Sequence, residues 1–183
     1  DFYITADIIH NFSKDFYNNI DNNAKNYFSP FISLKYEKRK YKTCLFYKNI
    51  FRLPTFNELY YRQIGNKNLQ PEKTNQVSWS NSYEFSFNDF TVIPTIDLYY
   101  NDVKDKIVAI PQNNVFLWSM LNYGKVKIEG VDFKLYINTF LFNKINIDLK
   151  LNYSYQKVVD DEKNSLTYKE ILPYMPKNVF SSI

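Results

Sequence analysis

Apolar and polar residues alternate along much of the chain. Phe2, Ile4, Ala6 and Ile8 interleave with Tyr3, Thr5 and Asp7, and Ile32, Leu34 and Tyr36 with Ser33, Lys35 and Glu37. The clearest run sets Val77, Trp79, Tyr83, Phe85 and Phe87 against Ser78, Ser80, Ser82, Glu84, Ser86 and Asn88, with Asn81 as a polar residue in the apolar phase. A second run sets Ile145, Ile147, Leu149, Leu151, Tyr153 and Tyr155 against Asn146, Asp148, Lys150, Asn152, Ser154 and Gln156. Successive side chains of a strand point to opposite faces, so each run reads as a strand with one apolar and one polar face. Helical spacing fits none of them.

The two best runs hold their alternation over about ten residues, against about five to six for a typical soluble strand and about nine to eleven for a tilted strand crossing a bilayer. Aromatic residues gather toward strand ends, at Phe85 and Phe87 and at Tyr153 and Tyr155, as girdles at two membrane interfaces require. The connections alternate in length. Residues 11–26, 51–71, 102–120 and 157–169 form long segments, and 38–40, 88–89 and 143–144 form tight turns between them. Outer-membrane barrels carry short turns on one rim and long loops on the other, whereas a sandwich has no reason to do so. The expectation is an all-β, antiparallel transmembrane β-barrel segment of about eight or nine strands. A soluble carbohydrate-binding β-sandwich is the alternative.

Two places resist the pattern. Val126 and Ile128 hold even positions, while Val131, Phe133, Leu135 and Ile137 hold odd ones, with Gly130 between. Either a bulge at Gly130 restores the facing, or the residues before it stand above the membrane. Pro94 has no amide to donate and requires a defect in the ladder or a place near the rim.

Composition narrows the picture. Aromatics make up 19 % of 183 residues, with 17 Tyr and 16 Phe, which suits a pleated, half-buried surface. With only 3 Gly, turns must lean on Asn and Asp. No apolar run approaches the roughly 18 residues of a transmembrane helix, which says nothing against a barrel. The net charge of +4 is spread along the chain. Its densest basic stretch, 35–42, is interrupted by Glu37 and reads as a solvated turn, not a nucleic-acid site. Cys44 is alone, so no disulfide forms within the chain.

Catalysis finds little support. His10 is the sole histidine and lacks a companion ligand or nucleophile at useful spacing. Asp160, Asp161 and Glu162 lack calcium-loop spacing and read as a solvated loop. No catalytic residue, metal or cofactor is expected.

The stretch from 51 to 72 organises the rest. Pro54 and Pro71 fix φ and remove donors, so they mark a long ordered loop between two strands, and Gly65-Asn66 is a turn dipeptide that tolerates positive φ. Its wording, Arg52-x-Pro54-x-x-x-Glu58-Leu59-Tyr60 followed by Gly65-Asn66-x-x-Leu69-x-Pro71-Glu72, resembles the barrel signature of TonB-dependent outer-membrane receptors. The segments from Asp97 to Ile107, from Val108 to Asp132 and from Ile171 to Lys177 continue the resemblance. The middle one is similar to the cobalamin (vitamin B12) branch of Bacteroidetes-type bacteria.

The resemblance implies a 22-stranded barrel closed by a plug, of which residues 1–183 form a C-terminal part, truncated at both ends and without plug or TonB box. It implies TonB-energised uptake of a scarce nutrient, cobalamin in the first place and a siderophore or haem in the second, in the outer membrane of a Gram-negative bacterium. The implied partners are outer-membrane lipid, the TonB complex acting through the plug, the transported small molecule and a surface lipoprotein. Arg52 and Glu58 are either a surface ion pair or lumen-facing groups that fix the loop or contact the plug. Tyr60, Tyr61, Phe116 and Trp118 lie in expected external loops, where aromatics could hold a flat ligand or a lipoprotein lid. Loop packing or an interfacial belt is the plainer reading for Trp118, and more so for Trp79.

Overall fold

The computed structural model describes residues 1–13, 16–17, 20–21, 25–88, 90–111, 118–141, 145–163, 168–171 and 176–182. In chain order these form β1 (Phe2–Ser13), β2 (Phe16–Tyr17), β3 (Ile20–Asp21), β4 (Lys25–Lys38), β5 (Tyr41–Arg52), α1 (Phe56–Tyr60), β6 (Glu72–Tyr83) and β7 (Phe85–Phe87). There follow β8 (Phe90–Lys104), β9 (Ile107–Pro111), β10 (Trp118–Asn122), β11 (Lys125–Leu141), β12 (Ile145–Asp160) and β13 (Asn178–Ser182).

One nine-stranded antiparallel sheet dominates, in the order β1-β4-β5-β6-β8-β11-β12-β13, with β7 paired to β8. Long strands are joined to their neighbours up and down, so successive connections fall at opposite ends. The tight turn after β4 and the one after β7 lie at one end, helped by left-handed Arg39 (φ 53°) and Asn88 (φ 46°). The long connections lie at the other, as the spacing predicts. Among the described residues β1 and β13 are free edges and the sheet does not close. The expected turn at 143–144 lies outside the described residues, as do Asp89 and parts of the segments 11–26 and 157–169.

The strands are longer than the alternation alone marks. β5 runs to Arg52, β12 to Asp160, and the expected loop 102–120 contains the end of β8 and a hairpin of β9 and β10. Pro94 produces the defect it requires. β6 and β7 pair with β8 in one register, Ser82 opposite Thr95 and Phe85 opposite Val92. The rungs that fail are those facing Pro94 and Ile93, while on the other side the Glu84 amide extends the β5 ladder by donating to the Lys40 carbonyl at 2.9 Å.

The cross-strand register sorts every side chain onto one of two faces. Ile4, Ile8, Ile32, Leu34, Leu45, Val77, Trp79, Phe85, Ile96, Phe133, Ile147 and Tyr153 share one face and are exposed there. Ser78, Ser80, Ser82, Asp97, Asp132, Lys134, Asp148, Asn152 and Ser154 share the other. A globule buries its apolar face, and this sheet displays it. From Phe90 to Tyr100 the belt spans about ten steps of ~3.3 Å, which at the ~40° tilt of barrel strands gives ~25 Å, the height of an outer-membrane apolar band. Polar groups inside the belt find partners, as lipid demands. Tyr41 Oη donates to Asn81 Oδ1 at 2.8 Å, and Trp79 Nε1 to Thr43 Oγ1 at 2.9 Å.

β11 has no bulge. Its register with β8 and β12 runs unchanged through Gly130, which stands opposite Tyr99 and Gln156. The phase change is instead a change of surroundings. Beyond Gly130, Val126 and Ile128 keep to the inward face, where Val126 packs with Val103 and Val158 in a small buried core flanked by Tyr123 and Ile128. The outward positions there are Lys125, Lys127 and Glu129. Gly130 is required for room: a Cβ there would collide with the phenol end of the Tyr99 side chain.

Candidate functional site

The stretch from 52 to 72 closes on itself through a guanidinium and two carboxylates. Arg52 ends β5 and Glu72 opens β6, directly opposite each other on the inward face. Arg52 Nε donates to Glu72 Oε2 at 2.9 Å, and Nη1 to Glu58 Oε1 and Oε2 at 3.0 and 2.9 Å. Glu58 belongs to α1, which has only five residues and too few internal bonds to hold alone. A capping box holds it: the Glu58 amide donates to Thr55 Oγ1 at 3.3 Å and the Thr55 amide to Glu58 Oε2 at 2.7 Å. Burial pushes the Glu58 carboxyl up, but the Arg52 hydrogen bond and the Thr55 amide outweigh it and hold the group below the usual carboxylate range.

Glu72 carries the clasp into the next loop. Its side chain is buried, and Oε1 accepts the Ile107 amide at 2.6 Å with Lys106 Nζ at 3.6 Å. The hairpin of β9 and β10 is thereby pinned at its root. The loop also grips the hairpin farther on. The Met120 amide donates to the Ile64 carbonyl at 2.9 Å, and Asn66 Nδ2 to the Met120 carbonyl at 3.0 Å. Asn122 exchanges bonds with the backbone of Gln70, 2.8 Å in each direction, and donates to the Asp105 carbonyl at 2.7 Å. Leu69 is buried in the loop, and Pro71 leads the chain into β6.

Gly65 has an ordinary negative φ, not the positive one its turn dipeptide allows. It is glycine because the chain folds back on itself. A Cβ would lie 2.6 Å from the Tyr61 amide nitrogen and 2.8 Å from its carbonyl oxygen.

The structure thus brings together Arg52 and Glu58 and adds Glu72, which the sequence marks only as part of the motif. The aromatic candidates are more scattered. Tyr60 packs against Phe56 at 5.0 Å between ring centroids, with Lys67 Nζ 5.8 Å from its ring. Tyr61 is 54 % exposed at the end of α1. Trp118 opens β10 opposite Pro111, and Phe116 lies outside the described residues. Asn66 and Asn122, the two side chains that tie the loop to the hairpin, gave no functional signal beyond the motif.

Below the clasp the inward face is polar. A concavity of about 440 Å³ is lined by Gln76, Ser78, Ser80, Asp97, Tyr99 and Asp132 together with Phe46, and Lys134 Nζ reaches Asp97 at 2.7 Å. Among the described residues no three His, Cys, Asp or Glu side chains gather as a metal site. The expected solvated loop at 160–162 is not what forms, since Asp160 ends β12 fully buried, accepting from Tyr123 Oη at 3.2 Å and from the Glu162 amide at 2.8 Å, and Asp161 pairs with Lys125 and Lys127 at 3.1 Å each.

Known proteins agree with this architecture. The copper transporter OprC superposes with a TM-score of 0.60 over 87 % of this chain and 23 % of its own, at 15 % identity, which speaks for the fold alone. The vitamin B12 transporter BtuB of Vibrio vulnificus (strain YJ016) is 33 % identical over 91 residues, 49 % of this chain and 14 % of that protein. The chain therefore spans under a quarter of either relative's length. The family model described as TonB dependent receptor-like, beta-barrel matches residues 5–183. With an apolar face turned out, a polar face turned in and long connections at one end, the chain belongs to the β-barrel family of TonB-dependent receptors.

Proposed function

We propose that this segment is a C-terminal part of the wall and external loops of a receptor in the outer membrane of a Gram-negative bacterium, and that the whole receptor takes up cobalamin with energy from TonB. The observation that carries the receptor reading is the clasp Arg52–Glu58–Glu72–Ile107, which braces two external loops against each other above a polar inner wall. A channel for passive flow has no need of braced loops, whereas a receptor gains affinity from groups held in place before the ligand arrives. The cobalamin reading draws on the stretch similar to a vitamin B12 transporter. Tyr60, Tyr61, Phe116 and Trp118 are the ligand-contacting candidates, and Arg52 and Glu58 hold the loop or meet a plug on the inward side. The TonB complex would act through that plug, and a surface lipoprotein could cover the loops.

Titrating the full-length receptor with cobalamin, haem and a ferric siderophore tests the ligand. Cobalamin should bind and quench Trp118 fluorescence relative to a Trp118→Phe control. Tight binding of haem or the siderophore in its place assigns the receptor to that ligand and removes the cobalamin reading. Replacing Arg52 and Glu58 by Ala should impair uptake while leaving membrane insertion intact, and unchanged uptake would refute their role.

A further inference from the structure

The seam between β4 and β5 stops short of the strands that flank it. β1 follows β4 rung by rung from Tyr36 to Lys25, whereas β5 leaves it after the pair of Phe31 and Lys48. Asp1 and Glu37 exchange both their backbone bonds, at 2.6 and 2.9 Å. Bonded pairs recur at every second residue of an antiparallel ladder, so the odd residues of β4 bond to β1 and the even ones face β5. Tyr36, Leu34 and Ile32, of the even series, meet Thr43, Leu45 and Tyr47. The next member is Pro30, which has no amide to give. There the ladder ends.

Beyond Pro30 the amides and carbonyls of Phe28 and Asn26 continue the series toward a gap. β5 is held on its other side, paired with β6 as far as Arg52 and Glu72. The Tyr27 ring stacks on Phe51 at 4.3 Å, but no backbone bond joins the two strands there among the described residues. Donors and acceptors that recur every two residues, about 6–7 Å apart, match another extended backbone. Exposed sheet edges are commonly guarded by charge, and residues 26 to 30 carry none. Both strands are interior to the described sheet, so this edge does not arise from where the sheet stops.

A concavity of about 340 Å³ lies beside the edge, lined by Asn26, Tyr27, Gln70, Pro71, Lys73 and Asp105. Two carboxamides, an ammonium group and a carboxylate around one space suit a polar side chain. We propose that β4, from Asn26 to Pro30, binds an extended segment of a second protein by strand addition, with one polar side chain of that segment in the concavity. Backbone pairing supplies the affinity and the concavity the choice of side chain. The proposal goes beyond nutrient uptake and needs the barrel reading only to place this edge at the outer rim.

The test sets the full-length receptor, in neutral detergent, against a randomised linear heptapeptide library displayed on phage. Selected peptides should slow hydrogen exchange at the Asn26 and Phe28 amides by roughly tenfold or more, and leave those of Tyr27 and Ser29, already bonded to β1, unchanged. N-methylating alternate peptide residues keeps every side chain and should abolish binding in one of the two phases. Phe28→Pro deletes a donor aimed at the gap without touching the β1 ladder, and should weaken binding about fivefold or more. Phe28→Ala should keep it, and Lys73→Ala should change the residue selected at a single peptide position.

A library that selects no peptide overturns the proposal, as does binding that survives N-methylation in both phases or leaves both amides unprotected. Slow exchange at both amides before any peptide is added overturns it too, because the receptor's own chain would then hold the edge. None of these readings depends on a variant folding. Loss of the cobalamin reading would leave every one of them unchanged.

Discussion

β11 crosses two environments with one unbroken register, and the two halves obey opposite rules. From Val131 to Ile137 the apolar residues point outward and Asp132, Lys134 and Tyr136 point in, while from Lys125 to Glu129 the charges point outward and Val126 and Ile128 point in. The backbone is the same; what differs is the solvent. Alongside lipid the outward face is the oily one. Beyond the membrane, water lies outside and the folded loops supply an interior, so Val126 is fully buried with Val103 and Val158. Order is also kept by different means. The wall rests on ladder bonds that any sequence can make, whereas the loop end rests on individual side chains such as Arg52, Glu72, Asn66 and Asn122.

That contrast predicts opposite outcomes for neighbouring residues. Ile96→Arg places a cation in the outward belt and should destabilise the inserted receptor by about 2–4 kcal/mol. Thr95→Arg, one residue away on the inward face, should leave insertion nearly unchanged. Heat-modifiable mobility of the folded barrel in outer-membrane fractions reads both, and equal losses would remove the assignment of faces.

The junction between the halves comes next. Gly130→Ala should cost about 1–3 kcal/mol by overpacking against the Tyr99 ring. Adding Tyr99→Ala should recover most of that loss, a non-additivity measurable as a double-mutant cycle in urea unfolding. If the pair is additive, Gly130 serves the strand for some reason other than room.

In the loop region, Glu72→Ala removes the acceptor of the Ile107 amide and leaves a buried donor unmatched. That should cost about 1–2 kcal/mol locally and speed hydrogen exchange of the Ile107 amide roughly tenfold. Amides of Leu98 and Phe133, in the wall, should exchange as before. Wall and clasp opening together would show that the two regions are one cooperative unit.

The smallest effect concerns pH. The Glu58 carboxyl is held below its ordinary range by Arg52 and Thr55 against the opposing effect of burial. Its contribution is thus complete above the unfolded carboxylate value near 4.5 and is lost as pH falls through the lower folded value. Protection factors at the amides of α1, which remove the intrinsic pH dependence of exchange, should fall only below that point and stay flat from pH 5 to 8. A Glu58→Gln variant should remove the acid-side change.

Much of the wall was legible because a strand's side-chain period is two and needs no knowledge of neighbours. Val77 to Phe87 and Ile145 to Tyr155 announced both their faces, and the turn spacing announced which connections share a rim. Pro94 announced its own defect, since a missing amide is a local fact. Gly130 and Gly65 are less legible. Their need is for space, and the atoms that occupy that space belong to Tyr99 across the sheet and to Tyr61 across a turn. The motif drew attention to Arg52 and Glu58, but the third partner of the clasp and its bond to Ile107 join residues 35 apart, beyond any local pattern.

By itself, then, the sequence determined the strands, their two faces and the end that bears the long loops, because these follow from alternation and from which residues can turn a chain. The fold was needed for the register between strands, for the choice between a bulge and a change of surroundings at Gly130, and for the closing of the loop onto the hairpin. Those depend on which strand lies beside which, and pairing across a sheet leaves no trace in the order of residues along one strand.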